Sequence, residues 1–389
     1  MDVDMVFEGG GAKGLAFVGA LQAIERHGHK ARRVVGTSAG SIVAILVAAG
    51  YTAAECKAAI NERLPDGSSR FGSFLQTPRI DESVELSNSL RGWLRTELDN
   101  PLIPNVIEPV VDRMVEGLAQ RDLTKHVISL LAWGGWYAGD ALLAYLTEKL
   151  DAGGRGLGRS TLREFQQKAG RDFSAVASDI TDKTMLVLNH RTAPDCPTTW
   201  AVRMSMSCPL VWQEVVWKKE WGLYLGHDIS GHKVVDGGLS SNFPIALLVS
   251  DDDMVEETMG EESASDQVIG LLLDDGLQVP GAEDTQAADQ KAPGFLERSD
   301  VLAETMFRLG AMGETLLGGH DKYVIDEHKH LVCRLPAKGY GMLEFDLTPE
   351  RMAPIVNAGE AAMEAHLAQA MFGGQSQPAP TVVPARPQR

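Results

Sequence analysis

The sequence predicts an α/β fold, a parallel or mixed central sheet with flanking helices. Three observations carry that expectation. Val3–Phe7 is a short β-rich run that ends in glycines, the pattern of a buried strand feeding a turn. A helix, a second strand and a helix apolar on every side follow before Gly50. Further β-rich runs return at Phe173–Ser178 and Val268–Leu273, with helical patterns between them.

The elements follow in order. Gly14 to His27 reads as a helix, with Leu15, Val18, Leu21, Ala23 and Ile24 mostly on one face and Gly28 just beyond its end. Arg33–Val35 is the second strand. Ser41 to Ala49 contains the continuous apolar run Ile42–Val47 and ends at Gly50, so it is a buried helix. Residues 51–135 read as an excursion from the sheet, with a helical patch at Ile107–Leu118 and loops at Pro78, Pro101 and Pro104. Asp140 is expected to cap a helix over Ala141–Leu150. A glycine-rich loop at 153–158 leads to strands at Phe173–Ser178, Met185–Asn189 and Val211–Trp217. Asp251 to Asp266 carries eight acids and no base and reads as a solvated loop. Val268–Leu273 is a strand, Leu296–Leu317 an amphipathic helix and Leu331–Leu335 a late strand. Thr348 and Pro349 open a last helix that runs to about Phe372. Gly373–Arg389 is proline-rich and without acids, a disordered tail.

Bulk composition bounds the partners. A chain of 389 residues with a formal net charge of −17 has room for a large core and no affinity for nucleic acid through bulk charge. Anionic lipid headgroups would repel it, so membrane contact must come from apolar burial or a local basic patch. Cys56, Cys196, Cys208 and Cys333 lack zinc-ligand or redox spacing and read as reduced thiols of a cytoplasmic protein. Met1–Asp4 has no signal-peptide character. The longest apolar stretch, Val127–Tyr145, is broken by Asp140 and three glycines. It reads as core or pocket lining rather than a transmembrane segment, which needs about 18 apolar residues.

Two motifs carry chemistry. Gly9-Gly10-Gly11-Ala12-Lys13-Gly14 follows the first strand. It fits a dinucleotide loop through Gly9, Gly11 and Gly14, but that reading wants an acid at the end of the second strand, and Arg32–Gly36 has none. It fails as a P-loop because Lys13 precedes Gly14 rather than Ser or Thr. As an oxyanion loop it offers converging backbone N–H groups at a helix start. Gly36-Thr37-Ser38-Ala39-Gly40 is a Gly-x-Ser-x-Gly nucleophile elbow in its required context, between a strand and a helix, where Gly36 and Gly40 give clearance for a tight turn. Only residues 15–35 separate the two motifs. An α/β-hydrolase places several strands and helices there, and closes its triad with a histidine. No histidine here sits in a convincing motif; His227 and His232 flank a turn and suit hydrogen-bonding or surface roles. The better base is Asp236, at a strand end before Gly237 and Gly238, although Asp-Gly-Gly in isolation is more often a simple turn.

These three pieces, in this order, resemble the patatin-like phospholipase family, whose pattern is a Gly-Gly-Gly-x-Arg/Lys-Gly loop, a Gly-x-Ser-x-Gly elbow and a later Asp-Gly-Gly/Ala. Tyr137–Leu142, Ala177–Thr181, Ala201–Val211, Ser241–Pro244 and Phe345–Thr348 extend the likeness, which covers about Val3 to Phe372. The resemblance implies a three-layer α/β/α fold with a mostly parallel sheet, in one domain over 1–372. It implies a Ser38–Asp236 dyad without histidine, an oxyanion hole drawn from Gly9, Gly10, Gly11, Lys13 and Gly14, and no metal or other cofactor. The expected activity is phospholipase A-type ester hydrolysis at a membrane or lipid aggregate, through peripheral contact. The sequence names no activating partner. Residues 51–135 are where a lid, cap or lipid pocket would lie, and Leu130, Leu131, Trp133, Trp136, Tyr137, Leu142 and Leu143 are candidate pocket residues. Two other readings stand beside this one: a nucleotide-binding or regulatory module built on Gly9–Gly14, and an interaction protein on a hydrolase scaffold.

Overall fold

Alternation along the strands decides the architecture. In β1 (Asp2–Phe7), Val3, Met5 and Phe7 join one core while Val6 joins another. The same split separates Val34 from Val35 in β2 (Lys30–Thr37). A computed structural model of the chain describes residues 1–75, 77–78, 122–260, 267–282, 321–342 and 344–373. The expected helices at Ile107–Leu118 and Leu296–Leu317, and residues 374–389 of the expected tail, lie outside those residues.

The chain after β1 forms α1 (Leu15–Arg26), β2, α2 (Ala39–Ala48) and α3 (Ala53–Ile60). Then come α4 (Asp122–Trp133), β3 (Gly135–Tyr137), α5 (Asp140–Asp151), α6 (Leu162–Ala169), β4 (Asp172–Asp179) and β5 (Thr184–Leu188). Next are α7 (Thr198–Ser205), β6 (Leu210–Trp212), β7 (Val215–Val216), β8 (Lys233–Asp236), α8 (Ala246–Val249) and α9 (Asp253–Met259). The described chain ends with β9 (Val268–Gln278), β10 (Val332–Lys338) and α10 (Pro349–Gly373).

The main sheet runs β10-β9-β1-β2-β4-β8-β7, with β5 also on β4. Its β10 to β4 part is parallel, and β5, β7 and β8 pair antiparallel. One face is covered by α1, α2 and α10, whose Phe17, Ile45 and Ile355 are buried in the larger core. The other face is covered by Phe243, Leu247 and Leu248 around α8, Val255 and Met259 of α9, and Ile325. The fold is the three-layer α/β/α arrangement with a mostly parallel sheet. Helices α1 and α10 cross backbone to backbone. A Cβ on Gly19 would fall 1.8 Å from the Val356 carbonyl oxygen, and one on Gly359 2.1 Å from that of Ala16.

One junction positions everything that follows. Ala175 and Val176 pair with β2 on one side and with β5 on the other. Ala177–Asp179 pair with β5 and with β8. Strand β8 therefore lies on the same edge of β4 as β2. Val176 pairs with Thr37, and the next residue, Ala177, pairs with Asp236. The strands β2 and β8 run toward each other along that edge and meet tip to tip.

Three local expectations are corrected. Asp140 does not cap α5; the cap is Gly139 at φ 82°, and Asp140 is the first helical residue. The guanidinium of Arg203 fills the space a Gly139 side chain would take, 2.2 Å from the ideal Cβ. Val211–Trp217 is two strands, because β6 pairs with β3 in a separate sheet while β7 pairs with β8. The acidic run is not a plain loop: Asp253–Met259 is helical, with its acids outward and Val255, Thr258 and Met259 buried on the sheet.

At the other end of β1, Asp4 is fully buried. Its carboxylate accepts from Arg32 Nε at 2.9 Å and Nη2 at 2.6 Å, and from Arg33 Nη2 at 2.6 Å. Burial raises its pKa, and the hydrogen bonds and charges of the two arginines outweigh that and hold it below its usual 3.8. Its stabilising contribution is complete above 3.8 and is lost as pH falls through the lower folded value. Asp4→Ala removes the carboxylate from the buried Arg33, and denaturant titration should show a loss of about 3–5 kcal/mol.

Candidate active site

The elbow is built by close approach. Ser38 has φ 53° and ψ −127°, a conformation most non-glycine residues avoid. A Cβ on Gly36 would lie 2.6 Å from the Gly40 carbonyl carbon, and one on Gly40 would lie 2.4 Å from the Phe7 carbonyl oxygen. The elbow thus packs directly on the exit of β1. Ser38 N donates to Ser205 Oγ at 2.9 Å, and Ser41 N and Oγ both donate to Ser38 O, at 2.9 and 2.6 Å. No side chain caps α2, so its N-terminal dipole faces the serine.

The glycine loop lies beside the elbow. Gly9 N donates to the Asn242 carbonyl at 3.0 Å, and Asn242 Nδ2 donates back to Gly9 O at 3.0 Å. A Cβ on Gly9 would sit 2.3 Å from Asn242 Oδ1 and 3.1 Å from Ser38 Cβ. Gly11 has φ +58°, and a Cβ there would fall 2.0 Å from the Met342 carbonyl oxygen, which accepts from Ala12 N at 2.9 Å. Among the described residues, the Gly10 and Gly11 N–H groups donate to no acceptor. The Gly9 N–H is taken by Asn242, the Lys13 ammonium is held by Asp275 at 2.7 Å, and Gly14 lies inside a short 3-10 turn in helical conformation.

Asp236 closes β8 with a 6% exposed side chain. Its N donates to Ser207 O at 2.9 Å, its Oδ1 accepts from Gly238 N at 2.8 Å, and its Oδ2 has no hydrogen bond. Burial pushes the carboxyl up to about 6, while the Gly238 N–H and the Ser38 hydroxyl pull it back. The Ser38 hydroxyl donates to Met206 Sδ at 3.6 Å; it lies close enough to lower the Asp236 pKa but makes no hydrogen bond to Oδ2. A Cβ on Gly237 would strike the Val176 carbonyl oxygen at 2.1 Å, so this turn needs glycine to reach β4. Gly238, beside Asn242 Oδ1, supplies the N–H on Asp236.

Sequence reasoning missed several residues here. Ser205, Met206 and Ser207 touch Ser38 or Asp236 from the end of α7. Glu8 braces the glycine loop, with Oε2 accepting from Leu273 N at 2.5 Å and Oε1 from Asn242 Nδ2 at 3.2 Å. Burial pushes the Glu8 carboxyl up to about 8; those two donors lower it, and the charges of Asp321 and Asp275 add to the rise. Trp136, Tyr137 and Leu142, expected to line a pocket, belong to the packed core. A shallow apolar crevice, open to solvent, is lined by Gly11, Ala39, Ile42, Val43, Phe71 and Leu347 among others. It starts beside the loop and the residue after Ser38. His232 hydrogen-bonds Asp179 at 2.7 Å with Asp182 nearby; this group is the one candidate metal cluster among the described residues, and it includes neither Ser38 nor Asp236.

The patatin-like phospholipase family model matches residues 5–249. The chain belongs to the patatin-like phospholipase family. Among its relatives, the uncharacterized protein YqhO of Bacillus subtilis (strain 168) is 28% identical over 377 residues, covering 95% of this chain and 99% of YqhO. The probable lipid hydrolase 463L of Invertebrate iridescent virus 6 is 21% identical over 246 residues, 63% of this chain and 62% of that protein. Among solved structures, VipD from Legionella pneumophila aligns with a TM-score of 0.48 at 17% identity, covering 94% of this chain and 67% of VipD. The ExoU–SpcU complex of Pseudomonas aeruginosa aligns with a TM-score of 0.39 at 18% identity, covering 95% of this chain and 52% of the matched one. The patatin family match ends at residue 249, yet β9, β10 and α10 complete the same sheet and core.

The glycines of the loop are unequal, and substitution should show it. Gly14 has helical φ and only ordinary contacts of 3.5 Å around an added Cβ. Gly14→Ala should leave thermal stability within about 1 kcal/mol of wild type, on the favourable side. Gly11→Ala, at positive φ against a carbonyl, should lose about 2 kcal/mol or more in the same melting experiment.

Proposed function

We propose that the protein is a lipid acyl hydrolase in which Ser38 attacks a carboxylic ester and Asp236 is its general base. Family membership supports lipid hydrolysis. The observation that carries the assignment of roles is the tip-to-tip meeting of β2 and β8, which sets Ser38 beside a buried carboxylate with one unbonded oxygen. As Ser38 Oγ bonds to the ester carbonyl carbon, Asp236 Oδ2 takes its proton. The carbonyl oxygen becomes an oxyanion facing the unused Gly10 and Gly11 N–H groups and the α2 N-terminus. Collapse breaks the C–O bond, and Asp236 returns the proton to the leaving alcohol, a lysolipid or similar product. Water, deprotonated by the same carboxylate, then attacks the acyl carbon; the bond to Ser38 Oγ breaks, Oγ takes the proton back from Asp236, and the fatty acid is released.

The lipid surface would be met at the end of the sheet that bears the site. Parallel strands β1, β2 and β4 deliver their C-terminal ends there. Ile180, Val216, Leu277 and Met342 lie at or beyond that end and are 40%, 47%, 41% and 38% exposed. With a net charge of −17, apolar insertion rather than bulk charge supports peripheral contact. Among the described residues no helix is long and apolar enough to cross a membrane.

Three outcomes test this reading. Fatty acid release from phosphatidylcholine vesicles should fall at least about 1000-fold in Ser38→Ala and Asp236→Asn, and a fluorophosphonate probe should label Ser38. Equal release by all three proteins would overturn the dyad. Because the base must be ionised, kcat/KM on a soluble ester should rise with pH and level off above about 6, following the raised Asp236 pKa. A flat profile between pH 5 and pH 8 would exclude Asp236 as the base. Ile180→Asp/Leu277→Asp should weaken co-sedimentation with phosphatidylcholine vesicles by about tenfold or more, since each exposed side chain contributes on the order of 1 kcal/mol when buried.

A further inference from the structure

Asp321 lies beyond the residues matched by the family, yet its carboxylate reaches into the site. It is 7% exposed and lies in a helical stretch described over residues 321–327. Oδ2 accepts from the backbone N of Asn242 at 2.8 Å and of Phe243 at 2.9 Å, and Oδ1 accepts from Ser241 Oγ at 2.7 Å. Three consecutive residues thus donate to one buried carboxylate, the charge-assisted geometry that fixes a turn most firmly.

That turn touches both motifs. At one end, the Ser241 carbonyl accepts from Thr37 Oγ1 at 3.1 Å, and Thr37 is the residue before Ser38. At the other, Asn242 exchanges two hydrogen bonds with Gly9, both 3.0 Å, and also donates to Glu8. The turn begins only a few residues after Asp236, and a Gly238 Cβ would sit 3.1 Å from Asn242 Oδ1.

We propose that Asp321 is a positioning residue for the hydrolysis. It holds the Ser241–Phe243 turn, and through Asn242 it fixes where the Gly10 and Gly11 N–H groups stand relative to Ser38. This rests on the hydrolase reading above. Without the carboxylate, the buried Phe243 N–H and the half-buried Asn242 N–H lose this acceptor and the turn must shift to find another. An asparagine keeps one oxygen able to accept both N–H groups, and its amide can donate to Ser241 Oγ. A 1 Å drift of the loop is enough to cost a large part of the oxyanion stabilisation.

The test compares full-length wild type, Asp321→Ala and Asp321→Asn by two readouts: kinetics on a soluble ester, and hydrogen exchange of the peptide spanning residues 8–14. Asp321→Ala should lower kcat by about 10- to 100-fold with KM changed less than about twofold, and should speed exchange at the Gly9 and Ala12 amides by about tenfold or more. Asp321→Asn should restore both to within a few-fold of wild type. If Asp321→Ala does not fold, Ser241→Ala removes one of the three bonds and should show the same two changes in smaller measure. Wild-type kcat or wild-type exchange at Gly9 in a folded Asp321→Ala protein, whatever its melting temperature, would overturn the proposal; so would an Asn variant as impaired as the Ala variant. A wild-type chain that cleaves no ester and resists the fluorophosphonate would defeat the hydrolase reading, while exchange at Gly9 would still report whether Asp321 holds the loop.

Discussion

The edge of β4 is shared by two strands, and the site depends on that sharing. A strand edge offers one row of backbone partners, so β2 and β8 can both use it only by stopping where the other begins. Val176 takes Thr37 and Ala177 takes Asp236, which leaves no residue between the two tips on the β4 side. Each chain must turn away at once: β2 by the strained Ser38 elbow into α2, and β8 through Gly237. Ser38 and Asp236 are neighbours because the hydrogen-bond ladder of a third strand puts them there.

Strain at Ser38 persists only because its surroundings over-determine it. Gly40 sits on the β1 exit, Ser205 holds Ser38 N, and Ser41 closes the turn on Ser38 O. These contacts come from the first layer of helices and from α7. The second face contributes as well. Phe243, Leu247 and Leu248 are buried there, so the turn that carries Asn242 is anchored by a core on the far side of the sheet from α1 and α2. The C-terminal third completes the arrangement through Asp275 on Lys13, Met342 on Ala12 and Asp321 on Asn242. The chain beyond the family match is therefore joined to the loop, not appended to the domain.

What was legible in the sequence was local. Glycines at Gly11, Gly36, Gly40 and Gly237 mark places where one backbone crosses another, Gly9 and Gly10 lie close against the Asn242 and Leu273 side chains, and the required residue type is written at the contact itself. Gly14 shares the motif, but nothing in space requires it. The partners of those contacts were not legible. Asn242 lies 233 residues from Gly9, and nothing near either position announces the pairing. The same holds for Arg203, which takes the space beside Gly139 and so moves the cap off Asp140. The acidic run was misread for a different reason. Val255, Thr258 and Met259 recur at helical spacing and form the buried face of α9, but the acids around them dominated the composition. Tertiary packing also divided Val211–Trp217, whose single β-rich pattern serves two sheets.

The burial of Asp236 sets what the carboxylate can do. An aspartate near its usual 3.8 is a poor base at neutral pH, because it surrenders a captured proton too readily. Raising it to about 6 makes the buried carboxylate less stable by about 3 kcal/mol relative to water, at 1.36 kcal/mol for each tenfold change. In the proposed dyad, that destabilisation becomes affinity for the Ser38 proton. The Gly238 N–H limits the rise by stabilising the charged form through Oδ1, while Oδ2 is left without a hydrogen bond. One oxygen is therefore held and the other is available, so the carboxylate both keeps its orientation and retains a site for the proton. A backbone donor on Oδ2 would lower the pKa further and occupy the position that the proposed dyad assigns to the serine proton. The unpaired oxygen is costly for folding, and on this reading it is the feature that lets a two-residue site work without an imidazole.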